Sequence, residues 1–292
     1  MVGHKHPASQ GSFGIEFSEA SFASIAQLAR QRFGINLPAT KKSLVYSRLS
    51  PRLRALGLPS MDDYVTVVEN QKNVAENDMF ASALTTNVTH FFREEHHFEF
   101  LRHQALPDLI NVAAKGGKVR IWSAGCSTGE EPYSIAMLLL DVKPEIADLD
   151  VKILATDLDK TALNKAKAGK FDAIDITKLD SSKWIKFFEK TPDNPNSLKI
   201  IDPVKELITF APLNLNSNWP MPGCFDIIMC RNVAIYFDQN TQTDLWHAFY
   251  KKLNPNGFLF IGHSERLSPE LDKSMSPVEI TTYQKTTILG GT

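Results

Sequence analysis

The sequence predicts an α/β protein with a doubly wound parallel sheet, preceded by an all-helical unit. Two patterns carry this prediction. Up to about residue 86, apolar residues recur at three- and four-residue spacing, as expected for helices. After about Gly116, short apolar runs rich in β-formers alternate with helical stretches, which is typical of βαβ units around a sheet buried on both faces.

The helical unit is assigned to residues 1–85. Gly34 can end its first helix, Pro38 stands just before the second, and Ser60 can cap the third, which has acidic residues in its first turn. These breaks divide the segment into short helices joined by turns.

The second unit is assigned to residues 86–292, and its strand-like runs are VRIWSA, VKILATD, LITFAPLNL, FDIIMCRNV and GFLFIGHS. From about 171 to 206 the alternation is interrupted. This stretch has a helical piece around Trp184–Glu189, a turn-rich piece at Thr191–Ser197 and a strand-like piece at Leu198–Ile201. We therefore expect a small insertion in the sheet domain.

The composition is that of an ordinary globular protein of about two domains. The chain has 292 residues, of which 43% are hydrophobic and 22% charged, so it can bury a sizeable core and is neither disordered nor fibrous. No apolar run approaches the ~18 residues of a membrane span, and the start of the chain lacks the apolar region of a secretory signal. We expect a cytoplasmic protein without membrane insertion.

The three cysteines, Cys126, Cys224 and Cys230, are odd in number and lack the CxxC spacing of metal sites. This fits a reducing compartment, and we expect neither a disulfide nor a zinc site. Cys126 lies in a glycine-containing loop, but the sequence supplies no base to activate it as a nucleophile, so we expect it to pack.

Charge is distributed unevenly along the chain. Residues 1–60 contain eight Lys or Arg residues and two acidic ones, a net charge of +6, which leaves −7 on the remainder of a chain whose total is −1. The basic residues are Lys5, Arg30, Arg32, Lys41, Lys42, Arg48, Arg52 and Arg54. This asymmetry indicates an acidic partner for the first unit: nucleic acid, anionic lipid or an acidic protein surface.

A nucleotide pocket is expected at the carboxyl ends of the strands, where open α/β sheets bind ligands. The first strand runs into Gly125 and Gly129, which allow a tight turn and close approach of a ligand. The loop is not GxGxxG, and Glu130 and Glu131 at the helix start would repel a pyrophosphate. This favours a cofactor that bears a cation, such as S-adenosylmethionine, with Glu130 as its carboxylate partner. Alternatively, both acids merely suit the helix start.

Two later strand ends also carry polar residues. Asp157 ends the second strand, 28 residues after Gly129, near the place where doubly wound folds put the acid that binds ribose hydroxyls. Asp157 or Asp159 can instead cap the next helix. Asn214 follows a third strand, and its amide suits an adenine edge or a simple turn.

Six motifs in order resemble the CheR chemoreceptor methyltransferases: TTNVTHFFRE, IWSAGCSTGEEPYS, ATDLD, APLNL, CRNVAIYF and GHSE. The resemblance covers about residues 17–285. It implies a class I methyltransferase domain with a Rossmann-like doubly wound sheet, an inserted small antiparallel β-subdomain and an N-terminal all-α domain. It also implies methyl transfer from S-adenosylmethionine to glutamate carboxylates of chemoreceptors, with S-adenosylhomocysteine as the other product.

Position by position, the resemblance implies which residues form the site. Arg93 and Tyr236 would be the catalytic residues, which align the reacting groups. Arg93 would come from the interdomain segment and close over the cofactor, and Tyr236 would lie beside the methyl group. The cofactor-binding residues would be Asn87, Thr89, Arg93, Glu130, Asp157, Asn214, Leu215, Arg231 and Asn232. The acceptor carboxylate is already ionised at neutral pH, which agrees with the absence of an evident His/Asp or Cys/His constellation.

We expect no metal site. His90, His96, His97 and His103 are interspersed with glutamates on a helical stretch, but the spacing matches neither HExxH nor another zinc pattern. His96 and His97 are adjacent and are expected to face different directions on a charged, partly solvated helix.

Two alternatives use other substrates or no chemistry. The basic first unit fits a class I methyltransferase of nucleic acid or a small molecule, but the acidic second unit lacks a basic stripe with interleaved aromatic residues. A dinucleotide-binding regulator is disfavoured by the loop that lacks GxGxxG. We therefore expect chemoreceptor helices, and not nucleic acid, to dock on the basic unit.

The insertion departs from the family in one respect. Some CheR proteins grip a C-terminal receptor pentapeptide there, and we expect a glycine-rich turn in those proteins. Thr191–Ser197 has no glycine and two prolines, so it offers a stiffer turn with fewer amide donors. An edge strand near Leu198–Ile201 could still pair with a peptide. We expect a tether of this kind to be dispensable.

Overall fold

The computed structural model describes residues 15–286 apart from positions 178, 180, 181, 193 and 272, and the side chains of residues 177 and 182 are not described. Lys5 and the rest of the N-terminal segment considered above lie outside the described residues. Among the residues that are described, no helix combines the length and the apolar character needed to cross a membrane.

The helical unit begins with four α-helices that pack around one apolar core. Their bounds are α1 (Glu19–Phe33), α2 (Lys42–Leu56), α3 (Met61–Glu69) and α4 (Val74–Leu84). The predicted breaks are confirmed. Gly34 ends α1 with a left-handed φ of 75°, and the Ser60 hydroxyl accepts a hydrogen bond from the Asp63 amide at 3.2 Å as the cap of α3.

A buried carboxylate ties this unit together. Glu76 on α4 is 4% exposed, and its side chain accepts hydrogen bonds from the Arg52 guanidinium on α2 and the Tyr64 hydroxyl on α3. The shortest N···O distance to Arg52 is 2.5 Å and the distance to Tyr64 is 2.8 Å. The Glu76 carboxylate therefore connects α2, α3 and α4, and hydrogen bonds from Arg52 and Tyr64 compensate for its burial.

The predicted parallel sheet is confirmed. The strands described in the whole chain are β1 (Val119–Ala124), β2 (Val151–Asp157), β3 (Lys170–Asp172), β4 (Phe188–Thr191), β5 (Asn194–Ile200), β6 (Ile208–Pro212), β7 (Phe225–Cys230), β8 (Leu253–Ile261), β9 (Met275–Glu279) and β10 (Thr282–Lys285). The large sheet has the order β6-β2-β1-β7-β8-β10-β9, and its first five members are parallel. The C-terminal hairpin, with β10 antiparallel to β8, was not foreseen.

Helices cover both faces of this sheet. They are α5 (Glu95–Phe100), which continues through a π-helical turn (Leu101–Ala105) into α6 (Leu106–Ala114), then α7 (Glu130–Val142), α8 (Lys160–Ala168), α9 (Ala173–Thr177), α10 (Asp202–Lys205) and α11 (Gln239–Lys252). Neighbouring strand residues alternate between two cores: Ile121 packs in the cluster that contains α7, and Trp122 in the cluster that contains α11. This explains the nearly continuous apolar runs in the sequence.

A small antiparallel sheet, β3-β5-β4, lies between α8 and α10 in the chain. The middle strand β5 starts at Asn194. The predicted turn across 191–197 is therefore wrong for residues 194–197, which belong to this strand. Position 193 lies outside the described residues. The predicted helix at 184–189 is a 3-10 helix, Ser182–Phe187, that passes into β4. Prolines at 192 and 195 misled the sequence prediction, because hairpin pairing outweighs their low strand propensity.

The helical unit docks against the end of the sheet through backbone pairing. Ile35 and Phe237 form an isolated antiparallel bridge, and the Asn36 amide donates to the Tyr236 carbonyl at 2.8 Å. The Asn214 side-chain amide donates to the Arg32 carbonyl at 2.6 Å. These bonds fix the end of α1 beside the strand ends. The limits 1–85, 86–292 and about 171–206 for the units and the insertion stay predictions.

We expect Glu76→Gln to lower the free energy of unfolding by about 1–3 kcal/mol, because an amide cannot accept from Arg52 and Tyr64 with both of its polar atoms. Glu19→Gln is the matched control, since Glu19 pairs with Lys42 of the same helix α2 but its side chain is 81% exposed. Its effect should stay within about 0.5 kcal/mol. Urea denaturation followed by circular dichroism measures both, and equal effects would contradict the assignment.

Candidate active site

A cavity of about 1000 Å³ opens at the carboxyl ends of β1, β2, β6 and β7. Its wall combines these strand ends with the end of α1 and with residues 85–94 between α4 and α5, which we call the linking segment. Of the residues predicted for the site, those that line it are Asn87, Thr89, Arg93, Asp157, Asn214, Leu215, Arg231, Asn232 and Tyr236. Glu130 is the exception.

The loop after β1 reaches the cavity through unusual backbone angles. Gly125 and Gly129 have φ values of 85° and 100°, and Ser127 between them has a φ of 51°. A Cβ on Gly125 would come within 2.4 Å of a Val233 methyl group, so this loop must pack directly on the loop after β7. The prediction that these glycines permit a tight turn is confirmed.

Asp157 stands at the bottom of the cavity and is 8% exposed. Its carboxylate accepts hydrogen bonds from the Ser127 amide at 2.7 Å and the Asp159 amide at 2.8 Å. Burial raises the pKa of Asp157, and these amides oppose the rise. A carboxylate has about four acceptor positions, so the Asp157 carboxylate can still accept from a ligand hydroxyl. Asp159, in contrast, caps α8 by accepting from the Thr161 and Ala162 amides.

The two glutamates at the start of α7 face different surroundings. Glu130 does not line the cavity, and its carboxylate accepts from the Thr128 hydroxyl at 2.7 Å. Glu131 lines the cavity, accepts from the Ser123 hydroxyl at 2.7 Å and lies 3.3 Å from the Arg231 guanidinium. Successive residues of a helix point in different directions, so only one of an adjacent pair faces the ligand. The structure thus favours Glu131 over the predicted Glu130.

Arg231 is the central charge of the site. Its side chain is 2% exposed and lies between Glu131 and Glu94, with N···O distances of 3.3 and 3.4 Å. The guanidinium also donates to the Arg93 carbonyl and lies over the Phe98 ring. Arg231 therefore joins the loop after β7 to α7 and to the linking segment. Its position is set by neighbours from three parts of the chain.

The linking segment lines the cavity in a bent conformation. Phe92 and Glu94 have φ values of 53° and 57°, so Arg93 stands between two residues with left-handed backbone. Arg93 is not on the predicted helical stretch, because α5 begins only at Glu95. Its guanidinium donates to the Val88 carbonyl at 2.9 Å, which folds the segment back on itself.

Asn87 fastens the same segment to the sheet domain. Its side-chain amide donates to Asp159 at 2.6 Å and accepts from the Ser127 hydroxyl at 3.3 Å. From the other side, the Arg48 guanidinium of α2 donates to the Leu84 carbonyl at 2.8 Å and to the Thr86 hydroxyl at 2.6 Å. Thr89, two residues after Asn87, also lines the cavity.

The remaining predicted residues form the far wall. Both polar ends of the Asn214 amide are engaged, since its oxygen accepts from the Asn216 amide at 2.9 Å while its nitrogen binds the Arg32 carbonyl. The bond to the Asn216 amide shows that Asn214 forms a turn, which was one of its two predicted roles. Asn214 also lines the cavity, together with Leu215. Tyr236 lines the cavity from a 3-10 turn, Ala234–Tyr236.

The polar groups of this cavity fit S-adenosylmethionine. The Glu131 carboxylate, which is only slightly exposed, suits a cationic group of such a ligand, and the buried Asp157 carboxylate suits its hydroxyl groups. Two buried atoms on residues of the wall, the Asn232 side-chain oxygen and the Arg231 Nε, have no hydrogen-bond partner among the described residues. A ligand with both donors and acceptors would satisfy them.

The histidines are arranged differently from the prediction. The rings of His96 and His97 are 4.1 Å apart, and ligand atoms of Glu94, His96 and His97 lie within 4.8 Å of one another, so the expectation that the two rings face apart is wrong. His97 is fully buried and bonds the Thr281 hydroxyl at 2.9 Å. Burial lowers the pKa of His97 to about 3. The Arg231 charge already lies against Glu94 and would repel a metal cation.

Cys126 packs in a small cluster with Ala155 and Leu163, as expected. Burial raises the pKa of its thiol well above the ordinary value, which opposes thiolate chemistry. The described cysteines are all free, and Cys224 is exposed.

Sequence reasoning missed three residues. Glu131 lines the cavity, but in the sequence it could be recognised only as the second of two adjacent acidic residues at the start of a helix. His90 lines the cavity, and burial followed by the Arg93 charge lowers its pKa. Glu265, in the GHSE motif, is 3% exposed and binds backbone amides beneath the cavity wall. Only its place in a motif at a strand end signalled it.

Comparison with known proteins adds independent information. Residues 20–85 match the family described as CheR methyltransferase, all-alpha domain, and residues 87–284 match CheR methyltransferase, SAM binding domain. A probable chemotaxis protein methyltransferase of Rhizobium etli is 47% identical over 257 residues, which cover 87% of this chain and 95% of the relative. The chemotaxis protein methyltransferase of Escherichia coli is 40% identical over 256 residues, 87% of each chain.

Partial similarity to a solved structure is also found. The structure of PKMT2 from Rickettsia typhi in complex with AdoHcy overlaps 49% of this chain and 20% of that chain, at 19% identity and a TM-score of 0.31. An overlap this partial does not bear on function.

We expect Glu131→Gln to weaken S-adenosylmethionine binding by roughly 1.5–3 kcal/mol, or about tenfold to a hundredfold, because it removes a charged acceptor from the cavity wall. Glu130→Gln is the matched control and should change affinity less than about twofold. Isothermal titration calorimetry measures both, with thermal unfolding as a check on folding. If Glu130→Gln lost more affinity for S-adenosylmethionine than Glu131→Gln, Glu130 would be the carboxylate partner of the cofactor, as the sequence predicted.

Proposed function

Because the chain belongs to the CheR methyltransferase family, we propose that it methylates glutamate side-chain carboxylates of chemoreceptors. The products are glutamate methyl esters and S-adenosylhomocysteine. The chain is an S-adenosylmethionine-dependent methyltransferase of class I fold, with the all-α N-terminal unit and small antiparallel sheet that the sequence predicted. A cytoplasmic location is part of the proposal, since receptor adaptation takes place there.

The observation that carries the proposal is the composition of the cavity wall. It combines the carboxylates of Glu131, which is partly exposed, and Asp157, which is buried, with two arginines, Arg93 and Arg231. Among the described residues, this wall contains no nucleophile activated by a base. Such a wall can bind a nucleoside-containing ligand that carries both positive and negative charges, and it can align an anionic acceptor. Acyl transfer or hydrolysis would need a nucleophile with its base, which this wall does not offer.

The bound S-adenosylmethionine supplies an electrophilic methyl carbon on a positively charged sulfur. An acceptor carboxylate oxygen forms the new C–O bond as the C–S bond breaks, and the electron pair stays on sulfur. Glutamate has an ordinary pKa of about 4.3, so no protein base is needed. The protein's contribution is alignment at a reacting distance of roughly 3–3.5 Å.

Arg93 and Tyr236 are the proposed aligning residues. Both line the cavity, Arg93 from the linking segment and Tyr236 from the 3-10 turn after β7. The planar guanidinium of Arg93 can hold a carboxylate with two parallel hydrogen bonds once it leaves the Val88 carbonyl. The Tyr236 hydroxyl can orient the acceptor carboxylate or the leaving sulfur.

Purified enzyme with radiolabelled S-adenosylmethionine should transfer label to the chemoreceptor cytoplasmic domain and not to RNA or DNA. The label should be released in mild alkali, because methyl esters hydrolyse there and methylated bases do not. Arg93→Ala should lose nearly all turnover, at least about a hundredfold, while remaining folded. Alkali-stable label, or label on nucleic acid, would instead support the nucleic-acid alternative.

The basic charges of the helical unit are partly used within it. Arg48 holds the linking segment, Arg52 pairs with buried Glu76, and Lys42 pairs with Glu19 at 2.5 Å. Lys41 and Arg54 are exposed and form no ion pair within the described part of the chain. These two residues, at opposite ends of α2, are the proposed contacts for acidic receptor helices.

We expect Lys41→Glu with Arg54→Glu to slow receptor methylation several-fold without changing cofactor affinity, because charge complementarity governs encounter. Wild-type rates should fall with salt as the charges are screened. The matched control is Lys115→Glu with Lys118→Glu, exposed positions before β1 at the opposite end of the sheet from the cavity. Salt-independent rates, or equal effects in the control, would refute docking on α2.

The inserted sheet offers little room for a receptor tether. Its strand β5, which contains the predicted edge near Leu198–Ile201, is bonded on both sides, so that expectation is wrong. Its edges are β3 and β4, with three and four residues. A C-terminal receptor pentapeptide is therefore not part of the proposed partner surface.

Titration of the enzyme with such a pentapeptide should show no binding in the low-micromolar range, since short edge strands give few backbone hydrogen bonds. Fluorescence anisotropy of a labelled peptide measures this, and a scrambled peptide is the control. Saturable low-micromolar binding that is lost on deletion of the 188–200 hairpin would overturn the expectation.

A further inference from the structure

A carboxylate lies directly behind the cavity wall without facing the cavity. Glu265 is 3% exposed, and backbone amides from two loops donate to it. Its Oε1 accepts from the Val233 amide at 3.0 Å and the Ile235 amide at 3.3 Å. Its Oε2 accepts from the Asn232 amide at 3.1 Å and the Gly262 amide at 2.5 Å. No described lysine, arginine or histidine pairs with it.

The backbone around this carboxylate is shaped to receive it. Asn232 has a φ of 60°, which turns successive amides of the loop after β7 toward one point, as in an anion-binding nest. A Cβ on Gly262 would come within 2.7 Å of the Asn232 amide and 2.9 Å of the Glu265 carboxylate. The loops after β7 and β8 can therefore approach each other this closely only with glycine at this position.

The loop held in this way carries much of the proposed ligand site. Arg231 and Asn232 lead into it, and Tyr236 closes it. Val233, whose amide binds Glu265, packs against Gly125 of the loop after β1. Loss of the Glu265 acceptors would release several buried amides at once and let the three cavity residues shift together.

We infer that Glu265 is a positioning residue that sets the loop bearing Arg231, Asn232 and Tyr236 in its ligand-binding geometry. The inference rests on the proposed function only in that S-adenosylmethionine serves as the probe of that geometry. Glu265 touches neither the cavity nor the ligand in this arrangement, and it acts through four backbone hydrogen bonds.

The chemistry of the partners gives a sharp test. All four partners are donors, so an acceptor-only carboxylate matches them and a glutamine does not: its NH₂ group would face amide hydrogens. Glu265→Gln preserves size and loses acceptors, whereas Glu265→Asp loses a methylene group and keeps them. A role in packing alone predicts that the Gln variant is milder. Positioning through acceptors predicts that the Asp variant is milder.

The experiment compares both variants with wild-type enzyme by S-adenosylmethionine titration and by steady-state methylation of a receptor fragment. Glu265→Gln should weaken cofactor binding about tenfold or more, and Glu265→Asp should recover part of that loss. Met275→Ala, a buried truncation on the distant strand β9, controls for lowered stability and should leave cofactor affinity unchanged. Glu270→Gln, at an exposed partner of His247, controls for lost charge.

Amide hydrogen exchange of the wild-type protein gives a second measurement that does not require the variants to fold. The amides of Asn232, Val233, Ile235 and Gly262 should be protected before any cofactor is added. Fast exchange at these four positions, or a Gln variant that binds as tightly as wild type, would overturn the inference. Failure of wild-type enzyme to bind S-adenosylmethionine would refute the proposed function instead, while amide protection would still test Glu265.

Discussion

The buried positive charge of the Arg231 side chain determines the arrangement of the cavity. The Arg231 guanidinium lies between Glu131 at the start of α7 and Glu94 in the linking segment, and it also binds the Arg93 carbonyl. Removing either acid would leave a buried charge poorly compensated, which is far more costly than losing a surface ion pair. Three segments far apart in sequence are therefore held in one arrangement, and the cavity is the space between them.

Backbone strain is concentrated around the same space. Phe92, Glu94, Ser127 and Asn232 are non-glycine residues with positive φ, and each stands in a segment that contributes to the cavity wall. Conformations of this kind persist only where the surroundings fix them. Here the fixing contacts include hydrogen bonds that backbone amides donate to buried side chains, such as the bond from the Asn232 amide to Glu265. The wall is consequently preorganised, which suits a reaction whose catalysis depends on alignment.

The sequence could predict the parts of the site that follow from periodicity. Strand ends were readable from apolar runs, so Asp157 and Asn214 were placed correctly at the edge of the sheet. Adjacent positions were harder, because a pattern does not give the rotation of a helix, and Glu130 was chosen where Glu131 faces the cavity. Long-range contacts were not readable at all. Nothing local to His97 indicates that a hairpin some 180 residues later buries it.

The bridge between Ile35 and Phe237 joins the two units beside the cavity, to which both contribute residues. Phe33 and Ile35 belong to the helical unit, yet they form part of the cavity wall, and the Tyr236 carbonyl is bonded to Asn36. The helical unit is thus no interchangeable adaptor. A chimera could take its helical unit from a relative in order to change which receptor is bound. This exchange would also replace residues of the cavity wall, so receptor specificity and cofactor affinity would change together.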